Sequence, residues 1–282
     1  MNICLNVRVL FFRESNRYTD RAMADILTHP AGSFCWSELN TNDQNAAKKF
    51  YSSLFGWSVT DYPAGPDGVY TIFRINDRNA AAADTANEEE RKNHFHPHWK
   101  LYIATDSADA AAARADAAGG KVLAPPFDVM DIGRMTVVQD PTGASVCLWQ
   151  ATKQGGFGVV VEDGAFCRAE LNTPDALRAG KFYSDTVGWK LEKAKEDSSG
   201  YFHIKNGEKR IGGIPSGEHR AAGAPVGWMV YFQVADVDAS TEKARQMGAR
   251  IYEPPRKIAG VGIGSVLADP QGAVFALFKA DR

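Results

Sequence analysis

Two glutamates stand in the same local setting: Glu38 in Ser-Glu-Leu-Asn-Thr (37–41) and Glu170 in Ala-Glu-Leu-Asn-Thr (169–173). If each run is a strand, side chains alternate between its faces. Trp36, Glu38 and Asn40 then share one face, as do Arg168, Glu170 and Asn172, while Leu39 and Leu171 point the other way. A carboxylate in an apolar enclosure has a raised pKa and suits general-base chemistry, or it anchors a polar ligand. Alternatively each is satisfied by a neighbour, Arg168 for Glu170 and a tyrosine hydroxyl or backbone group for Glu38, and braces the fold. Both readings stand at this point. The internal symmetry of the chain adds Tyr102 and Tyr231 to these faces, with Trp149 and Phe278 as aromatic wall. A second chemistry-bearing group is His94-x-His96-x-His98. Alternation would put its three imidazoles on one face, where they could hold zinc or nickel. It has no counterpart later in the chain and reads equally as an exposed linker after the charged Asn87–Asn93 stretch.

The elements that position these residues occur twice. Ser37–Trp57 returns as Ala169–Trp189, and Asp140–Trp149 returns as Asp269–Phe278; Phe50 aligns with Phe182 and Asp140 with Asp269. A repeat of this length is a duplicated domain rather than a solenoid unit. Each copy opens with a strand (34–41; 166–173). Thr41 or Asp43, and Thr173 or Asp175, can cap the following helix, with Pro174 in its first turn. Glycine ends the helix at Gly56 and Gly188. Phe50, Leu54 and Phe55 share a helix face, as do Phe182 and Val187. Extended stretches follow at 57–62 and 69–75, and at 189–191 and 201–205. Within each copy the pattern restarts at 98–120 and 227–249: strand, capped helix, glycine. Pro125-Pro126 and Pro254-Pro255 then break the chain. Strands at 134–139 and 145–150, and at 263–268 and 274–279, flank the turns Asp-Pro-Thr-Gly and Asp-Pro-Gln-Gly. The chain is thus four βαβββ modules, two per copy, an α+β architecture with mixed sheets.

Bulk properties remove several function classes. The net charge of −2 offers no basic arm for nucleic acid, and no apolar run approaches a membrane span. The four cysteines include no CxxC. Cys35 and Cys167 are repeat twins and read as small buried hydrophobes in a reducing, cytoplasmic setting rather than as a disulfide. The first thirty residues lie outside the repeat. Their apolar part is interrupted by Asn6 and Arg8 and lacks a cleavage site, so a signal peptide is not expected, and Met23 could serve as a start.

Paired βαβββ modules with D-x6-F-Y-x4-G-W (Asp43–Trp57; Asp175–Trp189) and a closing D-P-x-G resemble the vicinal oxygen chelate superfamily of glyoxalase I, bleomycin-resistance proteins and extradiol dioxygenases. The W-x-E-L-x-T-x-D start is similar to its two-domain bacterial subgroup, labelled glyoxalase-like or hydroxylase. The resemblance covers 32–280 and implies two domains, 31–152 and 164–282, joined by a glycine-rich linker at 153–163 and preceded by an extension at 1–30. Each domain would be an incomplete mixed-sheet barrel around a cup. In the family a metal sits on a first-strand His or Glu and a last-strand Glu. The corresponding positions here are Trp36 and Arg168, about Lys100 and Met229 in the second modules, and Cys147 and Ala276 in the last strands, a set that does not suit a divalent metal. A two-residue shift in register would bring Glu38 and Glu170 to the ligand position. The resemblance therefore implies an enzyme acting on a small oxygenated metabolite without the usual metal or another cofactor. The alternatives are a metal-free binding or sequestration protein, or an interaction protein with filled cups. Its partner would be a small-molecule ligand, not nucleic acid or membrane, and a homo-oligomer is compatible because family members build the cup within one chain or between chains.

Overall fold

The computed structural model describes residues 29–64, 68–86, 88, 96–194, 200–215, 225–258 and 261–281. The first half contains β1 (Phe34–Thr41), α1 (Gln44–Phe55), β2 (Ser58–Pro63), β3 (Val69–Ile75), β4 (Arg78–Thr85), β5 (His98–Ala104), α2 (Ala108–Ala117), β6 (Lys121–Val129), β7 (Gly133–Gln139) and β8 (Ser145–Ala151). The second half repeats it with β9 (Phe166–Asn172), α3 (Ala176–Val187), β10 (Lys190–Lys193), β11 (Phe202–Asn206), β12 (Lys209–Ile214), β13 (Gly227–Gln233), α4 (Val237–Gln246), β14 (Arg250–Ile258), β15 (Gly262–Ala268) and β16 (Val274–Ala280). Each half forms one open eight-stranded mixed sheet. The orders are β2-β3-β4-β1-β5-β8-β7-β6 and β10-β11-β12-β9-β13-β16-β15-β14.

The helix signals resolve in favour of the aspartates. The Asp43 side chain accepts from the Ala46 N–H and that of Asp175 from the Arg178 N–H. Pro174 precedes the second cap rather than occupying the first turn. Gly56 and Gly188 end the helices at φ 73° and 78°, where a side chain would be strained. The two diproline pairs do not break the chain. They lie inside β6 and β14, the outermost strands, at register shifts where a missing N–H costs no ladder bond. The last strand of each first module, β4 and β12, is alanine- or glycine-rich (Arg-Asn-Ala-Ala-Ala-Ala-Asp-Thr; Lys-Arg-Ile-Gly-Gly-Ile) and gives no alternating signal in sequence.

The two halves do not form separate cores. One hydrophobic cluster runs through both sheets. Helix α1 lies against α4 of the second half, and α2 against α3. Phe50 and Tyr51 meet Phe275, Phe55 and Trp57 meet Phe232, and Phe34 meets Phe166, Trp189 and Trp228. Indole N–H groups cross as well: Trp57 donates to the Gly164 carbonyl and Trp189 to the Gly32 carbonyl. The Asp-Pro-x-Gly aspartates have a local and a distant role. Asp140 Oδ1 accepts from the backbone of Thr142, Gly143 and Ala144, closing its turn. Asp269 does the same for Gln271 and Ala273, and its Oδ2 also accepts from the Tyr51 hydroxyl of the other half at 3.1 Å. The glycine-rich joint is itself packed. Phe157 is fully buried and its N–H donates to the Cys35 carbonyl; at Gly156, with φ 118°, a Cβ would lie 2.0 Å from that carbonyl oxygen.

Candidate functional site: twin carboxylate clusters

Leu39 and Leu171 point into the shared core, both fully buried. The opposite faces of β1 and β9 carry the two glutamates, and each is surrounded by donors. In the first cup, Glu38 Oε2 accepts from the Tyr70 hydroxyl at 2.9 Å and the Tyr102 hydroxyl at 3.2 Å, and Oε1 accepts from Lys100 Nζ at 3.1 Å. Trp36 Nε1 donates to the Tyr70 oxygen at 3.3 Å. In the second cup, Glu170 Oε1 accepts from Arg168 Nη2 and the Tyr201 hydroxyl, both at 2.8 Å, and Oε2 accepts from the Tyr231 hydroxyl at 2.5 Å. Arg168 Nη2 also donates to the Tyr201 oxygen. Each cup therefore holds one carboxylate, one cation and two phenols. In both, the residue two before the glutamate donates to the first phenol, which donates to the carboxylate.

The register explains how one composition arises from two residue sets. Glu38 lies directly across from Lys100, and Glu170 across from Met229. The first cup takes its cation from the facing strand, where the second has methionine. The second takes its cation from the glutamate's own strand, where the first has tryptophan. The carboxylate side chains are 9% and 13% exposed and the cations 21% and 19%, so these are largely desolvated ion pairs. Burial lowers the Lys100 ammonium pKa, but Glu38 and Asp84 raise it further, and the net shift is upward. Arg168 is likewise lowered by burial and raised further by Glu170. Burial, then the adjacent carboxylate, holds the phenols of Tyr70, Tyr102, Tyr201 and Tyr231 above their usual range. Burial pushes the Cys147 thiol, beside Tyr102 on the neighbouring strand, up to about 12.

The remaining sequence candidates are placed less centrally. Trp149 is buried, its indole N–H donates to the Gln154 carbonyl, and its ring packs on Gly133, where a Cβ would lie 2.2 Å from it. Its twin Phe278 lies 5.4 Å from the Arg168 guanidinium carbon, and the Tyr231 ring lies at 5.5 Å. Asn40 is buried one row along β1, between Asp84 and His98. Asn172 donates to the Pro225 carbonyl. Sequence reasoning missed Tyr70 and Tyr201. Both occupy the same place in the repeat, Tyr70 near the start of β3 and Tyr201 immediately before β11, and that twinning was the available signal.

The donor set does not fit a family-type metal. The positions aligned with its ligands carry an indole, a guanidinium, an ammonium, a thioether, a thiol and a methyl group. At the shifted register, each glutamate already accepts three hydrogen bonds, one from a cation that would repel a metal. Among the described residues no three His, Cys, Asp or Glu side chains converge. His94 lies outside them; His96 and His98 are exposed, the His98 ring against the His96 carbonyl oxygen at 2.9 Å. Among the described residues no helix is long and apolar enough to cross a membrane.

Comparison with known proteins gives the class. Residues 27–148 match the model of the Glyoxalase/Bleomycin resistance protein/Dioxygenase superfamily, and residues 168–278 match that of a glyoxalase-like domain. The chain is 40% identical over 247 residues to "Putative glyoxylase CFP32" of Mycobacterium tuberculosis, covering 86% of this chain and 93% of that protein. It is 31% identical over 264 residues to "Anthracycline biosynthesis protein DnrV" of Streptomyces peucetius, covering 88% and 93%. Its fold is similar to that of a Mn(II)-bound glyoxalase from Novosphingobium aromaticivorans (TM-score 0.62, 19% identity, 88% of this chain and 82% of that one). It is also similar to the 2,3-dioxygenase LapB from Pseudomonas sp. KL28 (TM-score 0.62, 13% identity, 89% and 94%). The chain belongs to the glyoxalase/bleomycin resistance/dioxygenase superfamily, as its repeated modules and D-P-x-G turns imply.

Proposed function

We propose that this protein binds small oxygenated molecules in its two cups through carboxylate–cation–phenol clusters, without the metal ion used by other members of its superfamily. The observation that carries this reading is the ammonium at 3.1 Å from Glu38 and the guanidinium at 2.8 Å from Glu170. A side-chain cation stands beside the one carboxylate that register would offer a metal. The four phenols already donate their single O–H to the glutamates, so each cluster offers a ligand oxygen the remaining N–H groups of its cation, and a ligand hydroxyl one unused lone pair on the carboxylate. Elemental analysis of the purified protein, followed by calorimetric titration with Mn(II), Zn(II) and Ni(II), should show no stoichiometric metal. One ion held per cup would sink the reading.

A catalytic version is favoured by one feature, the direct hydrogen bond from the Tyr231 hydroxyl to Glu170. A phenol and a carboxylate so paired are placed to pass a proton to or from a bound substrate. In that version Glu170 and Glu38 are the bases. Glu170→Gln should then abolish turnover of a substrate while ligand binding persists; loss of binding alone supports the binding protein.

A further inference from the structure

We infer that the two cups sort ligands by size: the second admits an uncharged molecule built on an aromatic ring, and the first is closed to it by the side chain of Met135. This rests on the reading that the cups bind small molecules without a metal, and adds which molecule enters which cup.

Residues directly opposite on neighbouring strands share a face of the sheet. In the first half that rule carries the cup face from Trp36 to Tyr102 and Cys147, and from Trp149, two residues on, to Met135 of β7. In the second half the same path runs from Arg168 to Tyr231 and Ala276, and from Phe278 to Gly264 of β15. Methionine beside tryptophan in one cup is therefore glycine beside phenylalanine in the other. The exchange of Cys147 for Ala276 goes in the same direction.

A protein interior does not keep an empty space of side-chain size: the walls close on it, or it stays open to another occupant. Here the walls have not closed. A Cβ placed on Gly264 would meet nothing among the described residues nearer than 3.7 Å. Val137 and Val266 are the same residue at the same place, two positions along from Met135 and Gly264. Val137 is 5% exposed, whereas Val266 and Gly264 are half-buried. Trp36 is buried, and its twin Arg168 is half-buried. The apolar residues divide the same way. Trp36, Tyr102, Met135, Cys147 and Trp149 belong to the continuous core, whereas Tyr231, Ala276 and Phe278 form a small cluster of their own, with Met229 and Val266 against it. The first cup is packed by its own side chains, and the second is not.

The lining gives the ligand's chemistry. Phe278 and Tyr231 meet edge to face at 6.3 Å, so the space beside Gly264 is bounded by aromatic surface that suits a further ring. Glu170 and Arg168 neutralise each other, and Arg168 Nη2 is spent on Glu170 and the Tyr201 oxygen. An ionised ligand would enter with no free counter-charge to offset its desolvation, so an uncharged one is preferred. Arg168 Nε is buried and has no acceptor among the described residues. It is a single N–H, and one carbonyl oxygen satisfies it.

Two side chains report on the cups separately by NMR: the Met229 methyl, across from Glu170, and the Trp36 indole N–H, bonded to Tyr70. The metal-free full-length protein is titrated with acetophenone, a ring bearing a carbonyl, and separately with acetone, the carbonyl without the ring. Each is taken to about 20 mM, the range of weak fragment binding. Acetophenone should shift Met229 saturably, at least about ten-fold more tightly than acetone, and leave Trp36 unmoved. Gly264→Met, which puts the first cup's side chain into the second, should weaken acetophenone at Met229 at least about ten-fold. Met135→Ala should make Trp36 respond to acetophenone. Gly264→Met adds a side chain to open space, so it decides the matter by itself if Met135→Ala does not fold. Equal response of both reporters to acetophenone in the unaltered protein, equal binding of the two probes at Met229, or undiminished binding to the Gly264→Met protein overturns the inference. So does a folded Met135→Ala protein whose Trp36 stays silent. If acetone shifts either reporter and acetophenone shifts neither, ring selection falls and metal-free binding survives. A response that appears only after Mn(II) is added overturns the metal-free reading, and the same two variants then decide the sorting by size. Silence from both probes with and without Mn(II) overturns this inference and leaves the metal-free reading to elemental analysis.

Discussion

The Glu38–Lys100 pair can be tested for bracing with a double-mutant cycle in which the lysine takes the residue found at its place in the second cup. Met229 occupies the place of Lys100 in the second cup. Lys100→Met leaves Glu38 with its two phenol donors but no counter-charge; Glu38→Gln leaves a largely buried ammonium beside a neutral amide. Removing one member of a buried pair costs about 3–5 kcal/mol, much of it from the stranded charge. Because Lys100 retains some solvent contact and the introduced amide keeps hydrogen-bonding capacity, about 3 kcal/mol is expected for Glu38→Gln and about 2 kcal/mol for Lys100→Met. In the double variant no charge is stranded, and the loss should be about 2 kcal/mol rather than the sum of about 5, a coupling of about 3 kcal/mol. Urea unfolding of the four proteins measures this directly. At about 2 °C per kcal/mol for a chain of this size, Glu38→Gln should also melt about 6 °C lower. Additive losses, with coupling under about 0.5 kcal/mol, would refute the ion pair as an energetic unit and return Glu38 to the role of a free base.

The half-chain 29–152 should not fold as a monomer. Phe34, Phe50, Tyr51, Phe55, Trp57 and Trp99 would all lose ring partners from the second half, and at about 1.5–3 kcal/mol each that exceeds a typical total stability. Its unfolding should be cooperative only where it dimerises, with a protein-concentration-dependent midpoint; a cooperative monomer would show that the halves are independent. Thiol reagents at about pH 8 should leave Cys35 and Cys147 unmodified in the folded state, because both are buried and burial raises their thiols, that of Cys147 to about 12. Rapid labelling of either without unfolding would contradict their burial. Tyr51→Phe should cost about 1–3 kcal/mol by leaving buried Asp269 Oδ2 without its donor across the halves, and a neutral result would show that this contact is not structural.

What was legible in the sequence is what duplication and alternation encode. The repeat, a helix cap within 41–43 and 173–175, the glycine stops and the placement of both glutamates on the face opposite Leu39 and Leu171 all follow from period and turn chemistry. Strands β4 and β12 left no trace because alanine and glycine buried on both faces carry no alternation. The diproline pairs read as breaks because edge position, which makes proline harmless, is a property of the whole sheet. The glycine-rich joint read as a linker for the same kind of reason: Gly156 is there to let the backbone touch Cys35, a contact invisible until the sheet is in place.

The cation is the instructive case. Comparing the copies residue by residue, Trp36 against Arg168 and Lys100 against Met229 look like two unrelated differences. Across the sheet they are one exchange, since a positive charge lost from the glutamate's own strand is recovered from the strand facing it. The chain thus holds constant a neutral cluster of carboxylate, cation and two phenols, while the wall that supplies the cation varies. A twin glutamate alone cannot separate a brace from a ligand anchor, because either would appear in both copies. A brace, however, needs only neutrality, which both walls provide equally, whereas a ligand meets the wall itself: an ammonium and an indole in one cup, a guanidinium between rings in the other. The shared composition belongs to the fold, and the difference between the walls is where the recognition of different ligands would be written.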